Sequence, residues 1–139
     1  MEMNGTKPIL LVEDDEIDVM TVKRALRDIE NQNSLVVTEN GEEALEYLMD
    51  ARNEKPFIIL LDLNMPRMNG IEFLRIAKQT DAIKSIPVIV LTTSREQQDV
   101  IESYNLGVGG YMIKPVSYKQ FVDALRTINM YWNLCWLPE

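Results

Sequence analysis

Residues 57–70 read Phe57-Ile58-Ile59-Leu60-Leu61-Asp62-Leu63-Asn64-Met65-Pro66-Arg67-Met68-Asn69-Gly70. Five apolar residues in succession predict a strand that is covered on both faces, as in the parallel sheet of an α/β protein. The strand ends on Asp62, and open α/β sheets place their ligand sites at the carboxyl ends of their strands. Taken alone, Asp62 is better explained as a turn residue, because Asp is common in turns. Whether Asp62 belongs to a functional site therefore depends on which residues follow the other predicted strands.

The composition of the 139-residue chain is that of one globular domain, with 46% hydrophobic and 26% charged residues. Its formal net charge of -8 argues against a nucleic-acid partner, which would require clustered Lys and Arg. The sequence contains no apolar run as long as the ~18 residues of a membrane span, and no signal-peptide pattern. We therefore expect neither nucleic acid nor a membrane among its partners.

The numbers of cysteine and histidine residues indicate the cellular location of the chain and limit the kinds of catalysis and metal binding that it can carry out. The single cysteine, Cys135, cannot form an internal disulfide, so a cytoplasmic location is the default. The chain has no histidine, which excludes His-based acid–base catalysis and His ligation of a metal. A bound metal should therefore be a hard cation held by oxygen, such as Mg²⁺.

Four further apolar runs predict strands, and stretches with apolar residues at spacings of three and four predict helices between them. The strand runs are 9–12, 35–37, 88–91 and 111–113. Alternating strands and helices of these lengths imply parallel strands with right-handed crossovers and helices on both faces. The runs at 9–12, 57–61 and 88–91 are the most apolar and should be central. The prediction is an α/β fold with a doubly wound five-stranded parallel sheet of order 2-1-3-4-5.

Polar residues follow four of the five predicted strands. They are Glu13 and Asp14 after the first, Asp62 after the third, Thr92 after the fourth and Lys114 after the fifth. In the predicted topology these residues lie at one edge of the sheet, so repulsion among the carboxylates must be offset by positive charge. Because Mg²⁺ prefers octahedral oxygen ligands and keeps several waters, we expect it to be bound directly by Asp14, Asp62 and the carbonyl of Asn64. Glu13 should lie just behind these ligands.

A site of this kind suits phosphoryl transfer. A carboxylate such as that of Asp62 can attack phosphorus without a general base and form an aspartyl phosphate. Mg²⁺ and the Lys114 ammonium would neutralise the transferred oxygens, and Thr92 can donate its hydroxyl to one of them. Each residue also has an ordinary explanation, since Lys114 could be a surface lysine and Thr92 a β-branched strand residue. Their joint placement at one sheet edge is what favours a site.

Four motifs at these strand ends resemble the receiver domain of two-component response regulators. They are Val12-Glu13-Asp14-Asp15, Leu61-Asp62-Leu63-Asn64-Met65-Pro66 with Asn69-Gly70, Leu91-Thr92-Thr93, and Tyr111-Met112-Ile113-Lys114-Pro115. The resemblance covers about residues 8–130 and agrees in order and spacing. It departs at Thr93, which is bulkier than the residue that the family often has there. The implied fold is the flavodoxin-like one of chemotaxis-type regulators.

The resemblance also implies residue roles and a partner. The roles are phosphoacceptor for Asp62, acidic pair for Glu13 and Asp14, phosphate binding for Lys114, switch hydroxyl for Thr92 and switch aromatic for Tyr111. The domain would receive its phosphoryl group from a sensor histidine kinase with Mg²⁺ as cofactor, and would catalyse only its own phosphorylation and dephosphorylation. The family further implies a cis peptide bond between Lys114 and Pro115.

Phosphorylation is expected to act through Thr92 and Tyr111. Thr92 would move to meet the phosphate oxygens, and Tyr111 would turn into the vacated space. This would re-pack the surface made by the predicted helix 95–105, the strand 111–113 and the predicted helix 117–129. The phosphate would thereby bias an existing equilibrium. Tyr111 is equally compatible with a packing role on an edge strand.

In this geometry Asn64 and Ser94 should flank the path of a hydrolytic water and tune the lifetime of the phosphoryl group.

The chain ends shortly after the last predicted helix, so we expect its output to be contact with another protein. The tail holds Tyr131, Trp132 and Trp136, and large aromatic residues favour interfaces. They could equally fold back on the domain's own helices. The tail is similar to that of small regulators paired with bacterial phytochrome histidine kinases, which dimerise through this region, and it implies a homodimer. The expected organisation is a flexible start over 1–7, a receiver domain over 8–130 and an aromatic tail over 131–139.

Three other functions fit the same topology. A Mg²⁺-dependent phosphohydrolase of the haloacid-dehalogenase kind also uses an aspartyl nucleophile, but carries a second Asp where this chain has Asn64. A flavodoxin-like cofactor module needs a hydroxyl- and glycine-rich phosphate loop after the first strand, whereas Glu13-Asp14-Asp15 would repel a phosphate. A pseudo-receiver that binds partners without phosphorylation stays open, although the complete residue set disfavours it.

Overall fold

The fold alternates strands and helices along the chain, in a computed structural model that describes residues 7–135. The strands are β1 (Ile9–Val12), β2 (Leu35–Thr38), β3 (Ile58–Leu61), β4 (Val88–Thr92) and β5 (Gly110–Ile113). The helices are α1 (Glu16–Asp28), α2 (Gly41–Met49), α3 (Gly70–Gln79), α4 (Gln97–Asn105) and α5 (Tyr118–Leu134). The strands form one parallel sheet of order β2-β1-β3-β4-β5. This confirms the predicted doubly wound topology.

The sheet separates two apolar clusters, because alternate side chains of a strand point to opposite faces. Leu10 and Val12 of β1 pack in the cluster with residues of α2 and α3. Ile9 and Leu11 pack in the other cluster with residues of α1 and α5. The central strands β1, β3 and β4 are buried along their whole length, which explains why their sequences lack polar alternation. β2 and β5 are mostly half-buried and form the edges, as predicted.

Side-chain caps fix where four of the helices begin. The capping residues are Asp15 of α1, Asn40 of α2, Asn69 of α3 and Ser117 of α5. At α3 the cap is reciprocal, because the Glu72 carboxylate also accepts the backbone N–H of Asn69. α4 begins after Glu96 without a side-chain cap bond. The start of α4 is therefore the least secured of the five.

Helix α5 is longer than the sequence predicted. It runs to Leu134, so the first residues of the expected tail are helical. The indole of Trp132 lies over Gly109, where an added β-carbon would be 3.1 Å from the ring. Trp132 also packs against the apolar cluster between the sheet and helices α1 and α5. The fold thus uses this tryptophan to secure the end of α5.

Both ends of the chain extend beyond the described range. The predicted flexible start, 1–7, lies outside it apart from Lys7, whose carbonyl accepts a bond from the Asn33 amide at 2.7 Å. Trp136 of the predicted aromatic tail also lies outside it. Among the helices of residues 7–135, none is both long enough and apolar enough to cross a membrane.

Candidate functional site

The ends of β1 and β3 bring three carboxylates together. Val12 and Leu61, the last residues of these strands, are paired across the sheet, and the Asp62 N–H donates to the Val12 carbonyl at 3.0 Å. Glu13 and Asp62 therefore lie side by side, with 3% and 6% of their surfaces exposed. Asp14 is exposed. One oxygen from each of the three acids lies within 4.8 Å of the others.

The ammonium group of Lys114 faces these acids from the end of β5. The backbone N–H of Lys114 donates to the Thr92 carbonyl at 2.8 Å, which fixes where the side chain begins. Its Nζ lies 2.6 Å from Glu13 Oε1 and 2.7 Å from Asp18 Oδ2. The same Nζ lies 3.8 Å from Asp62 Oδ2, which is ion-pair range but beyond hydrogen-bond length. The structure thus gathers the residues that the sequence placed at this edge.

Burial and charge shift the pKa values of the Glu13–Lys114 pair. Burial raises the pKa of Glu13 to about 7 against the opposing hydrogen bond from Lys114, and the charge of Asp62 adds to the rise. Burial acts to lower the pKa of Lys114, but hydrogen bonds to Asp18 and Glu13 and the charge of Asp62 outweigh it and raise that pKa. The ammonium therefore stays charged at neutral pH, as an anion-binding group requires.

Asp18 is a site residue that the sequence analysis missed. It is the third residue of α1, and its side chain is 38% exposed where it pairs with Lys114. In the sequence it is one more acid in the first turn of a helix, where the macrodipole favours negative charge. The available signal was its position one turn after Asp14, which directs it back toward the same sheet edge.

Thr92 and Tyr111, the predicted switch residues, both contact Ser94. Thr92 Oγ1 is buried and accepts the Ser94 N–H at 3.3 Å, and the Tyr111 hydroxyl donates to the Ser94 carbonyl at 3.0 Å. The Ser94 hydroxyl donates to Asp99 in the first turn of α4, at 2.6 Å. Burial raises the pKa of Tyr111, against the hydrogen bond to Ser94 and with the charges of Asp99 and Asp62 adding to the rise. One loop residue therefore joins the buried hydroxyl, the aromatic ring and α4.

Asn64 lines a cleft that also borders the carboxylates. The cleft has a volume of about 680 Å³, and Asp14 and Thr93 also line it. The Asn64 N–H lies 3.5 Å from Asp62 Oδ1, the long limit of a hydrogen bond. Of the two residues expected to flank a hydrolytic water, Asn64 borders this cleft, whereas the hydroxyl of Ser94 is engaged by Asp99.

The turn after Asp62 is held tightly against the start of α3. The Gly70 N–H donates to the Leu63 carbonyl at 3.0 Å. A β-carbon on Gly70 would lie 2.6 Å from the Asp62 carbonyl oxygen and 2.7 Å from the Leu63 Cα. Since both neighbours are backbone atoms, the close approach requires glycine. The turn in between is closed by Arg67, whose φ of 61° is left-handed.

Comparison with known proteins shows the family of this chain. Residues 9–126 match the response regulator receiver domain. The chain belongs to this family. It is 37% identical over 135 residues to the response regulator Rcp1 of Synechocystis sp., an alignment that spans 94% of this chain and 92% of Rcp1.

Two solved structures extend the likeness to the fold. The phosphorylated cyanobacterial phytochrome response regulator RcpA superposes with a TM-score of 0.90 at 34% identity, covering 97% of this chain and 100% of RcpA. The Mn²⁺-bound form of Rcp1 superposes with a TM-score of 0.87 at 36% identity, covering 96% of this chain and 99% of that one. The family and the likeness to phytochrome regulators predicted from the sequence are confirmed. Receiver domains are signalling proteins of two-component systems rather than classical enzymes.

The donor set at the receiver's sheet edge fits a divalent cation. Carboxylate oxygens are the ligands that hard cations prefer, and receiver domains bind divalent metal. Both Glu13 oxygens are engaged, one by Lys114 and the other by the Asp15 N–H at 3.3 Å. Asp14 is exposed, and the contacts of Asp62 with Asn64 and Lys114 are long. This difference is compatible with direct binding by Asp14 and Asp62 and an outer place for Glu13, which stays a prediction.

One expectation drawn from the family resemblance is wrong for this chain. The peptide bond between Lys114 and Pro115 is trans, not cis. A bond before proline prefers trans by only about 0.5–1 kcal/mol, so local packing selects either isomer.

The predicted interface residues near the end of α5 lie in different surroundings. Trp132 packs on the domain's own core, whereas Tyr131 is 61% exposed. The two rings meet edge-to-face with centroids 5.1 Å apart. Met130 and Leu134 are also exposed, and helical spacing places Leu134 one turn after both Met130 and Tyr131. An apolar patch of Met130, Tyr131 and Leu134 therefore lies on the outside of α5.

Proposed function

We propose that this response regulator accepts a phosphoryl group on Asp62 and signals to a protein partner by a change in conformation. The observation that supports the proposal is the meeting of opposite charges at one sheet edge. Asp62 directly follows β3 and lies beside Glu13 and Asp14, with oxygens within 4.8 Å, and the Lys114 ammonium lies 3.8 Å away. A nucleophilic carboxylate next to a fixed cation is the arrangement that phosphoryl transfer requires.

In the proposed reaction an Asp62 carboxylate oxygen attacks the phosphorus of a phosphohistidine. The new P–O bond forms as the P–N bond breaks, and the electron pair of that bond stays on the imidazole nitrogen. Lys114 neutralises charge on the transferred oxygens, so positioning and electrostatics supply the catalysis. In the separate dephosphorylation step, water attacks phosphorus, the P–O bond to Asp62 breaks, and the carboxylate and inorganic phosphate are released.

Asp14, Asp62 and the carbonyl of Asn64 would hold Mg²⁺, with Glu13 behind them. When bound, the ion supplies positive charge that offsets repulsion between the carboxylates and the phosphoryl oxygens. Lys114 already neutralises part of the charge of Glu13 through the 2.6 Å hydrogen bond. Asp14 and Asp62, which have no hydrogen bond to this ammonium, are the acids assigned to the metal.

Phosphorylation with a small donor tests the proposal. The protein is incubated with acetyl phosphate, with and without Mg²⁺, and its intact mass is recorded. Wild type should gain one phosphoryl group in a Mg²⁺-dependent manner, and Asp62→Asn should gain none. Asp81→Asn, which removes an exposed carboxylate outside the site, is the matched control and should behave as wild type. A phosphoryl group on Asp62→Asn, or none on wild type, would overturn the proposal.

The proposed signal leaves through Thr92 and Tyr111. Thr92 turns toward the phosphoryl oxygens, which breaks its hydrogen bond with the Ser94 N–H. Ser94 can then move, and Tyr111, which donates to the Ser94 carbonyl, can change its position. Because the Ser94 hydroxyl binds Asp99, a shift of Ser94 is passed to α4. The affected surface is that of α4, β5 and α5.

Hydrogen exchange measured with and without acetyl phosphate tests this route. In wild type, exchange over α4 and β5 should change on phosphorylation. Thr92→Ala should still take up the phosphoryl group and lose most of that change, whereas the neighbouring exposed Thr93→Ala should keep it. A full change in Thr92→Ala would contradict the coupling.

Asn64 and Ser94 are proposed to tune the lifetime of the phosphoryl group. Asn64 borders the cleft through which water reaches Asp62, and Ser94 controls the position of the loop next to Thr92. Decay of the phosphorylated protein is followed after removal of acetyl phosphate. Rates in Asn64→Ala and Ser94→Ala should differ from wild type, while Ser85→Ala, an exposed site elsewhere, should leave the rate unchanged. Equal decay rates in all four proteins would show that neither Asn64 nor Ser94 tunes the lifetime of the phosphoryl group.

The proposed phosphoryl donor is a sensor histidine kinase of the phytochrome type. Support comes from the similarity to the phytochrome response regulator RcpA over nearly the whole of both chains. Transfer of labelled phosphate from a purified phytochrome-type kinase should reach wild type but not Asp62→Asn. More rapid transfer from an unrelated histidine kinase would point to a different cognate partner.

A homodimer is proposed through the outer face of α5 and the tail that follows. The exposed apolar patch of Met130, Tyr131 and Leu134 supports it, because apolar and aromatic residues favour the centre of an interface. Sedimentation velocity should show a dimer for wild type and a shift toward monomer for a Tyr131→Ala, Leu134→Ala double variant. Met49→Ala, at an exposed apolar residue on α2, is the control. A monomeric wild type would exclude the dimer.

A further inference from the structure

Two carboxylates, those of Glu13 and Asp18, bind the Lys114 ammonium more closely than Asp62 does. A lysine ammonium has three N–H donors, and two of them are directed at Glu13 Oε1 and Asp18 Oδ2, at 2.6 and 2.7 Å. Both distances are those of strong, charge-assisted hydrogen bonds. Neither acid binds the third N–H, and Asp62 Oδ2 lies 3.8 Å from Nζ.

We propose that Asp18 is a positioning residue for phosphoryl transfer, which acts with Glu13 to fix the Lys114 ammonium so that one N–H stays available to the phosphoryl group on Asp62. The inference rests on the proposed function of Asp62 as phosphoacceptor. Asp18 itself does not touch the reacting atoms. It acts through Lys114.

The need for positioning follows from the lysine side chain. A lysine carries its charge on a flexible four-carbon stem, and every rotamer that is lost on phosphate binding weakens the interaction. Glu13 alone would leave the ammonium free to rotate about one contact. A second anion from a different element removes that freedom before the phosphoryl donor arrives, which is how preorganised charge contributes to transfer.

The position of Asp18 is itself fixed by the first turn of α1. The Asp15 carboxylate caps this turn and accepts the N–H groups of Ile17 and Asp18 at 2.8 and 3.1 Å. Asp15 and Asp18 therefore have different tasks although they are three residues apart. The first secures the helix, and the second reaches across to β5. Because Asp18 is 38% exposed while Glu13 is 3% exposed, removing Asp18 leaves no buried charge unpaired.

Phosphorylation kinetics with acetyl phosphate and Mg²⁺ test the inference. Asp18→Ala should lower the initial rate about three- to tenfold, as expected for the loss of one charge-assisted hydrogen bond that is partly exposed. Asp18→Asn keeps an oxygen acceptor for the ammonium and should recover part of the rate. Glu16→Ala is the matched control, since it removes the same charge from the same helix turn at an exposed residue. Its rate should stay within about twofold of wild type.

A second measurement separates positioning from a general loss of stability. NMR of the lysine side-chain nitrogen in phosphate-free protein should show a Lys114 ammonium with slow proton exchange, and Asp18→Ala should make that exchange fast while Glu16→Ala does not. Thermal unfolding should show that both alanine variants are fully folded at the assay temperature, so that a lower rate in Asp18→Ala does not come from unfolded protein.

The possible outcomes distinguish this inference from the proposed function. A rate for Asp18→Ala equal to or above that of wild type would overturn it, because Asp18 would then be neutral or would compete for the ammonium. Unchanged exchange at Lys114 in Asp18→Ala would overturn it whatever the phosphorylation assay gives. Wild type that gains no phosphoryl group would instead refute the role of Asp62, and the Lys114 measurement would still decide whether Asp18 holds the ammonium.

Discussion

Helices α3 and α4 follow the two strands that carry Asp62 and Thr92, yet they are attached to the sheet in different ways. α3 begins with a reciprocal cap between Asn69 and Glu72 and buries four residues, among them Phe73. α4 begins without a side-chain cap bond. Within residues 97–105, all of which the structure describes, Ser103 is the one buried residue.

Under the proposed function, the two halves of the sheet edge have different tasks. Asp62 must present its carboxylate in a fixed direction, and a well-anchored α3 holds the turn that follows it. Thr92 must report a change, and a weakly anchored α4 can move when the loop at Ser94 shifts. Elements that move in switching proteins come from the less stable parts of a fold, so the asymmetry is what the proposed function needs.

Truncating the buried core of α3 should have the largest effect. Phe73 is 0% exposed, and Phe73→Ala should lower the free energy of unfolding by about 3–5 kcal/mol through lost burial and a cavity. The counterpart in α4 is Tyr104, which is 52% exposed, and Tyr104→Ala should lower it by about 0.5 kcal/mol. Urea titration gives both values. Similar losses of unfolding free energy in the two variants would show that α3 and α4 are anchored to the sheet equally well.

The close approach of α3 to the Asp62 turn should give the next largest effect. Gly70→Ala places a β-carbon 2.6 Å from the Asp62 carbonyl oxygen, and overpacking of this kind lowers the free energy of unfolding by about 1–3 kcal/mol. It should also slow phosphorylation by acetyl phosphate, because the turn carries Asp62. Gly41→Ala is the control at the start of α2, where the 2.6 Å contact is with the Met68 side chain. That side chain can move aside, so Gly41→Ala should have less effect on both measurements.

Strand order and the members of the acidic edge were predictable from the sequence for a local reason. Each central strand is one uninterrupted apolar run that ends on a polar residue, so its position and its functional end lie within a few residues of each other. Glu13 and Asp62 were found in this way. The lengths of the runs then separated edge strands from central ones, as the observed order shows.

The features that the sequence did not reveal depend on contacts between distant residues. Asp18 pairs with a lysine 96 positions away, and its acidic neighbours make it look like part of a helix start. The hydroxyl of Ser94 donates to Asp99 and is not directed at the cleft. Hydrophobic periodicity in a sequence gives no information about which partner a serine hydroxyl binds. The extent of α5 to Leu134 reflects packing of Trp132 over Gly109, which the apolar spacing of the tail alone left undecided.

Removing the cap of α3 should have a moderate effect that has no equivalent in α4. Asn69→Ala loses the bond from the Glu72 N–H, 3.0 Å long, and should lower the free energy of unfolding by about 1 kcal/mol. Glu96→Ala, at the same position of α4, has no such bond to lose and should change it by less than about 0.5 kcal/mol. Glu96→Ser should instead add a cap and stabilise α4. Equal losses in the two alanine variants, measured by urea titration, would show that α4 is capped in solution.

The smallest expected effect has the opposite sign. The hydroxyl of Ser103 is buried and has no hydrogen-bond partner within residues 7–135, so the folded state carries the penalty of an unpaired polar group. Ser103→Ala should therefore raise the free energy of unfolding by up to about 1 kcal/mol and slow hydrogen exchange in α4. Ala77→Ser, which introduces a hydroxyl at a buried residue of α3, should be destabilising by a similar amount. If Ser103→Ala destabilises the protein, the hydroxyl has a partner in solution and the loose attachment of α4 must come from its exposed faces and missing cap instead.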